Sequence, residues 1–197
     1  MDDAQLLAAV HRGEPQAFDA FVERYGRRLL AFGKRMCGHS EDGEDVFQDT
    51  LLAAYQSLAD LRDPAALRTW LFRVAANACR MRRRKTGPSR EISLDQHLGG
   101  GENDHPARER EVADRARLPD DRAVRGELQR AIDAALERLP PEQRLVVLLR
   151  DVEGLGTREA AEALAITESA VKMRLHRARA SLRAALGKNF ALSAAPL

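Results

Sequence analysis

Apolar residues recur at spacings of three and four along most of this 197-residue chain, and no segment alternates apolar and polar residues cleanly. Residues spaced that way share one face of an α-helix, whereas strands show a period of two. Composition agrees: 33 Ala and 26 Leu stand against 13 Ile plus Val and 5 Thr, so strong helix formers dominate and β-branched residues are scarce. No glycine-rich phosphate loop follows a strand. The expected fold class is all-α.

The stripes divide the chain. A short helix is expected over about 2–12, ending at Gly13, and Glu14-Pro15 opens a second that runs to Cys37-Gly38. The second carries Ala17, Phe18, Phe21, Val22, Tyr25, Leu29, Leu30 and Phe32. A third is expected over 41–59, with Val46, Leu51, Leu52, Tyr55 and Leu58 as its stripe, and a fourth over 65–85, burying Leu67, Trp70, Leu71, Val74, Ala75 and Ala78. A second helical unit begins near 123. Leu128, Ile132, Ala135, Leu136 and Leu139 form its first stripe, and a helix over 142–152 follows Pro140-Pro141. Thr157 can cap a short helix to Leu164, and Thr167 a longer one over 168–187.

Residues 86–122 differ in kind. They hold seven Gly and Pro, no aromatic residue, and six basic against nine acidic side chains. Such a stretch reads as a flexible acidic linker, with room for a short helical piece near 107–117. The organisation expected is therefore a helical domain over 1–85, the linker over 86–122, a helical domain over 123–187 and a tail over 188–197. No apolar run reaches the roughly 18 residues of a membrane span. Met1-Asp2-Asp3 lacks the basic-then-apolar pattern of a secretion signal, and two cysteines make no disulfide framework, so a cytoplasmic protein without membrane insertion is expected. Cys37 and Cys79 read as small core residues. His11, His39, His97, His105 and His176 are scattered without ligand spacing, and no acid, base and nucleophile cluster together. No cofactor, metal or catalytic residue is expected, and the chain does not read as an enzyme.

Two segments suggest partners. In the C-terminal unit, a short helix, the turn Ala165-Ile166-Thr167 and a longer helix form a helix-turn-helix pattern. Val171, Leu175, Ala178 and Leu182 would face inward, while Lys172, Met173, His176, Arg177 and Arg179 lie on the opposite face. An exposed basic face at a helix N-terminal half can read base edges in a major groove, although an amphipathic hairpin with a solvated basic face has the same pattern. In the N-terminal unit, Glu41, Asp42, Glu44, Asp45 and Asp49 open the third helix, where acids suit the helix dipole and could also dock a basic partner. Trp70 and Phe72 stand among Arg68, Arg73, Arg80, Arg82, Arg83, Arg84 and Lys85, a mixture suited to stacking bases and pairing phosphates, though a lone Trp also fits a core.

Together these segments resemble one family, the extracytoplasmic-function group of bacterial RNA polymerase sigma factors of the sigma-70 type. Ala17-Phe18 with Tyr25 resembles the start of that family's region 2. Asp42-Gly43-Glu44-Asp45-Val46-Phe47-Gln48-Asp49-Thr50 resembles its polymerase-binding helix, and Arg68-Thr69-Trp70-Leu71-Phe72-Arg73-Val74-Ala75-Ala76-Asn77 its −10 and melting helix. Leu139-Pro140-Pro141-Glu142-Gln143-Arg144 and Leu149-Arg150-Asp151-Val152-Glu153-Gly154 resemble the opening of region 4, and residues 159–179 its −35-reading helix-turn-helix. The chain departs from the family pattern at Leu61 and Leu67, where aromatic residues are common, and at Arg80, where an acid is common.

The resemblance implies a protein that binds core RNA polymerase, directs it to promoters and initiates DNA-templated transcription. Asp42, Glu44, Asp45, Gln48 and Asp49 would dock on a basic coiled coil of the largest polymerase subunit. Arg62, Asp63, Trp70, Arg73, Asn77 and Arg80 would hold single-stranded DNA of the −10 element, with Asn77 pairing to a base edge. Thr167, Ser169, Lys172, Met173, His176 and Arg177 would read the double-stranded −35 element. Arg82, Arg83, Arg84, Arg174 and Arg179 would contact phosphates, the last two alternatively forming structural pairs. An anti-sigma factor is an expected further partner. The competing reading is a helix-turn-helix transcriptional regulator that acts without polymerase; it has no need of the acidic helix or of the Trp70–Asn77 helix.

Overall fold

The computed structural model describes residues 1–38, 40–86 and 120–193. The helices are α1 (Asp3–His11), α2 (Ala17–Cys37), α3 (Ser40–Ser57), α4 (Leu67–Thr86), α5 (Asp120–Glu137), α6 (Pro141–Val147), α7 (Thr157–Leu164) and α8 (Glu168–Ser193). Two 3₁₀ turns, Leu58–Asp60 and Pro64–Ala66, join α3 to α4, and a π turn over Leu148–Val152 prolongs α6. No strand occurs among the described residues, in keeping with the all-α expectation.

Local chemistry sets the boundaries. Asp2 caps α1 by accepting from the Gln5 N–H at 2.8 Å while the Gln5 side chain accepts from the Asp2 N–H at 2.9 Å. Pro15 sits in the turn before α2 rather than inside its first turn, and the helix begins at Ala17. Gly38 ends α2 in the left-handed region at φ 77°, where a side chain would be strained. Asp63 accepts from the Ala65 N–H at 2.9 Å and starts the turn into α4. Residues 120–122 form the first turn of α5, so the helix reaches three residues into the segment read as linker. The remaining linker residues from 87, the helical piece expected near 107–117, His39, His97, His105 and the last residues of the tail lie outside the described residues.

In the N-terminal unit α2, α3 and α4 pack around Phe21, Leu29, Phe32, Val46, Leu71 and Phe72, with α1 closing one end through Leu6 and Leu7. Phe32 and Phe72 rings meet at 5.4 Å. Gly33 and Gly43 mark the crossing of α2 and α3: a Cβ on Gly43 would lie 2.7 Å from the Lys34 backbone, and one on Gly33 2.6 Å from the Gly43 carbonyl oxygen. In the C-terminal unit α6, α7 and α8 bury Leu145, Leu148, Leu149, Ala160, Leu164, Val171, Leu175 and Ala178.

Several stripes differ from the sequence reading. The buried residues of α3 are Gly43, Val46, Thr50 and Ala54, whereas Leu52 and Tyr55 are exposed at 59% and 69%. On α4 the buried set is Leu67, Leu71, Phe72, Ala75, Ala76 and Cys79; Trp70, Val74 and Ala78 are only half-buried. Leu128 on α5 is exposed. The cap of α7 is Gly156 rather than Thr157, with its N–H donating to the Glu159 carboxylate, and Thr157 is the first helical residue.

The two units pack against each other, and their buried side chains form one continuous cluster. α7 lies on α4, and α5 and α6 reach α2. Buried Arg144 of α6 donates to the Met36 carbonyl of α2 at 2.8 Å and to the Glu137 carbonyl, which ties the C-terminal unit to the end of α2. Its desolvation pulls the guanidinium below its ordinary pKa.

Candidate functional site

The acidic helix α3 presents two rows. Asp42 accepts from Arg82 Nε at 2.8 Å, and Arg82 also pairs with Asp45, so this cation from α4 neutralises the inner row. Glu44 pairs with Lys34 at 3.0 Å and accepts from Ser40, and these partners hold its carboxyl below the ordinary value. Gln48 and Asp49 are exposed. Beside them stand the exposed Leu52 and Tyr55, with the Tyr55 ring edge-on to Phe18 at 5.1 Å. Gln48, Asp49, Leu52 and Tyr55, with the Arg82-paired Asp45 at their edge, thus make an acidic and apolar ridge. A helix that approaches its neighbour through Gly43, Thr50 and Ala54 carries small residues inward and leaves its large apolar residues outside.

Of the residues assigned to single-stranded DNA, Asp63, Trp70 and Arg73 line one cleft. Leu61, Asp63, Ala65, Ala66, Thr69, Trp70 and Arg73 form its floor and walls, in a volume of about 320 Å³. Arg62 and Asn77 are exposed outside that cleft. Leu67 is wholly buried, so this departure from the family pattern supplies core packing and offers no surface for a base. Leu61 is half-buried on the cleft wall. Arg80 turns toward the C-terminal unit and donates to the Leu164 carbonyl at 3.4 Å, with Glu142 at 3.7 Å. Arg83 and Arg84 are exposed at the end of α4.

On α8, Val171, Leu175 and Ala178 are buried, which turns Lys172, His176 and Arg177 to solvent and leaves Met173 half-covered. Thr167 caps the helix by accepting from the Ala170 N–H at 3.2 Å, with Ser169 Oγ 3.0 Å from its hydroxyl. Ala165 adopts the left-handed conformation at φ 54°, and this residue makes the tight turn between the two helices. Arg174 donates to Glu142 at 3.0 Å and Arg179 to Asp151 at 2.6 Å. In this arrangement both are structural pairs, the alternative already open for them.

Cys79 is buried and Cys37 half-buried; a hydrogen bond between them lowers the Cys37 thiol and raises the Cys79 thiol, with burial adding to the latter. Among the described residues no group of three His, Cys, Asp or Glu could hold a metal ion, and no helix is long and apolar enough to cross a membrane.

Sequence reasoning passed over Leu52, Tyr55, Arg28, Glu153 and Glu159 as surface or contact residues. The register signal for the first two was present, since Gly43, Val46, Thr50 and Ala54 also keep spacings of three and four. The Arg28–Glu153 pair joins residues 125 apart, and no local pattern announces such a contact.

Comparison with known proteins gives a consistent result. The sigma-70 region 2 family profile matches residues 21–88, and the sigma-70 region 4 profile matches residues 129–182. The chain is 36% identical over 187 residues to the ECF RNA polymerase sigma factor SigM of Mycobacterium tuberculosis, covering 94% of this chain and 85% of SigM. It is 32% identical to SigW of Bacillus subtilis, over 90% of this chain and 92% of that one. Among solved structures it is similar to CnrH in complex with the cytosolic domain of CnrY, at TM-score 0.64 and 29% identity over 94% of this chain and 97% of CnrH. It is also similar to RpoE of Bartonella quintana in complex with the anti-sigma factor NepR, at TM-score 0.63 and 25% identity over 87% and 98% of the two chains.

Proposed function

The chain belongs to the extracytoplasmic-function group of sigma-70-type RNA polymerase sigma factors, and from that premise we propose how its surfaces divide the work of transcription initiation. The ridge of α3, with Asp45, Gln48 and Asp49 beside Leu52 and Tyr55, docks on the basic coiled coil of the largest subunit of core polymerase. Charge complementarity speeds that encounter, and the apolar pair adds desolvated contact area. The cleft of α4 takes an extruded base of the −10 strand against Trp70, with Arg73 and the exposed Arg83 and Arg84 on phosphates. Arg62, Asp63 and Asn77 line or flank that path. The N-terminal half of α8 enters the major groove of the −35 element, where Ser169, Lys172, His176 and Arg177 meet base edges and Thr167 lies near the backbone. An anti-sigma factor is the proposed regulatory partner, as for the related sigma factor RpoE solved with the anti-sigma factor NepR.

The observation that carries this reading is the orientation of α8. Burial of Val171, Leu175 and Ala178 leaves the row Lys172, His176, Arg177 outward on a capped helix of a helix-turn-helix. A regulator working without polymerase is not favoured, because it would leave the matched region 2 without a task. Run-off transcription with core polymerase over a set of promoters tests the proposal. A promoter-specific transcript that depends on the chain is expected, and no transcript from any promoter would overturn it.

A further inference from the structure

The chain has two cysteines, 42 positions apart, and the fold brings them together. Cys37 is the last residue of α2, and Cys79 lies within α4 with no exposed surface. Their thiols share a hydrogen bond in which buried Cys79 is the donor, and that bond, with burial adding to it, keeps the Cys79 proton in place. The donated S–H favours the Cys37 thiolate, as do Arg82 and Arg144, against burial and Asp42. Arg82 pairs with Asp42 at 2.8 Å, and Arg144 donates to the carbonyl of Met36, the residue before Cys37. Charged groups of α3, α4 and α6 therefore face the sulfur of Cys37, which is itself only half-buried.

Packing accounts for Cys79, a small side chain in the core. It does not account for Cys37, which stands partly in solvent beside two guanidinium groups. Reactive cysteines occupy electropositive, partly exposed places, whereas inert ones are buried among apolar groups. Here one of each kind is in contact with the other. A disulfide would bring the two sulfurs, already hydrogen-bonded, to about 2.05 Å. Cys37 ends its helix, and Gly38 follows in the left-handed region, so no further helical turn holds the Cys37 backbone in place.

We propose that Cys37 and Cys79 are an oxidant-responsive pair, which a hydroperoxide converts into a disulfide that staples α2 to α4. The sulfur of Cys37 attacks the terminal oxygen of the hydroperoxide. An S–O bond forms, the O–O bond breaks, and the departing oxygen takes the proton that Cys37 gave up. Cys79 then attacks the sulfenic acid on Cys37. The S–S bond forms, the S–O bond breaks, and the Cys79 proton leaves with the hydroxyl as water. The two thiols lose two electrons and two protons, and one peroxide bond takes them up. The ring so closed contains all of α3, both turns into α4 and the cleft residues from Leu61 to Arg73. A cross-link around such a loop restricts the unfolded chain more than the folded one. Oxidation therefore hardens the N-terminal unit against unfolding, and a thiol reductant reverses it.

The experiment exposes the full chain to hydrogen peroxide, first equimolar and then in excess, and counts thiols after denaturation. Both thiols should be lost together, the mass should fall by two hydrogen atoms, and the chain should stay monomeric on a non-reducing gel. Dithiothreitol should restore both thiols. The thermal midpoint should rise by about 10 °C on oxidation, and thermolysin should cut the oxidised unit more slowly. Cys79→Ala separates the two steps: Cys37 should stop at the sulfenic acid, which dimedone labels, whereas Cys37→Ser should leave Cys79 unlabelled. Circular dichroism guards against unfolding, and the wild-type measurements decide the matter if Cys79→Ala fails to fold. Survival of both thiols in excess peroxide, or a disulfide joining two chains, would overturn the pair. Sulfinic acid on Cys37 beside a free Cys79 thiol would overturn Cys79 as its partner. A disulfide that leaves the thermal midpoint unchanged would overturn the staple.

Discussion

Substituting Gly43 by Ala sets two effects of similar size against each other, and the geometry decides which wins. Alanine in place of glycine inside a helix ordinarily stabilises by about 0.5–1 kcal/mol, because the unfolded chain has less freedom to lose. At Gly43 the new Cβ would stand 2.7 Å from the Cα and N of Lys34, whereas ordinary contact begins at 3.4 Å, so α3 must back away from α2 by about 0.7 Å. Both clashing atoms are helix backbone, which cannot rotate aside. A gap of that size forfeits roughly a quarter to a half of each dispersion contact at the crossing, and overpacking of this kind typically costs about 1–3 kcal/mol. The net expectation is a loss of about 1–2 kcal/mol, or roughly 4–8 °C per kcal/mol for a unit of this size. Urea and thermal unfolding followed by circular dichroism measure it. Gly126→Ala is the internal control: nothing lies within 4 Å of the place its methyl group would take, so that variant should gain about 0.5–1 kcal/mol. If Gly43→Ala is as stable as wild type or moves the same way as Gly126→Ala, the close crossing of α2 and α3 is wrong.

Two further outcomes are expected. Asp45→Arg reverses charge on the α3 ridge and should abolish core polymerase binding while leaving helicity intact; normal affinity in a pull-down with core enzyme would remove this face from docking. Arg177→Ala should weaken −35 discrimination by about 1–3 kcal/mol, measured as the ratio of affinities for matched and mismatched duplex, and an unchanged ratio would take Arg177 off the reading face.

The helix-turn-helix was legible almost to the residue because its information is local. Val171, Leu175 and Ala178 are the apolar set, Thr167 is the cap, and α8 starts at Glu168 as the pattern places it, while α7 starts one residue early at Thr157. α3 was legible as a helix but misread in orientation. Its buried face is built from Gly43, Thr50 and Ala54, which close approach requires and hydropathy ignores, while Leu52 and Tyr55 face out. Phe72 was likewise passed over as core, since its arginine neighbours suggested a surface, yet it packs on Phe32 under Arg28. The contacts of Arg28, Arg68 and Arg80 with Glu153 and Leu164 join segments 84 or more residues apart, and such pairings are set by tertiary packing alone.

The π turn at Leu148–Val152 is, in register, one residue inserted into a helix. The Glu153 N–H donates to the Leu148 carbonyl five residues back, at 2.8 Å, where an α-helix would reach four. Each residue of an α-helix rotates the chain by about 100°, so deleting one residue from this turn would restore plain helix and swing Glu153 away from Arg28 and Arg68. Arg144, upstream of the turn, would keep its place on Met36. A single codon gained or lost therefore decides whether Glu153 meets Arg28 and Arg68. Selection could cross that step at once, and the length of this turn is a character by which relatives could be sorted.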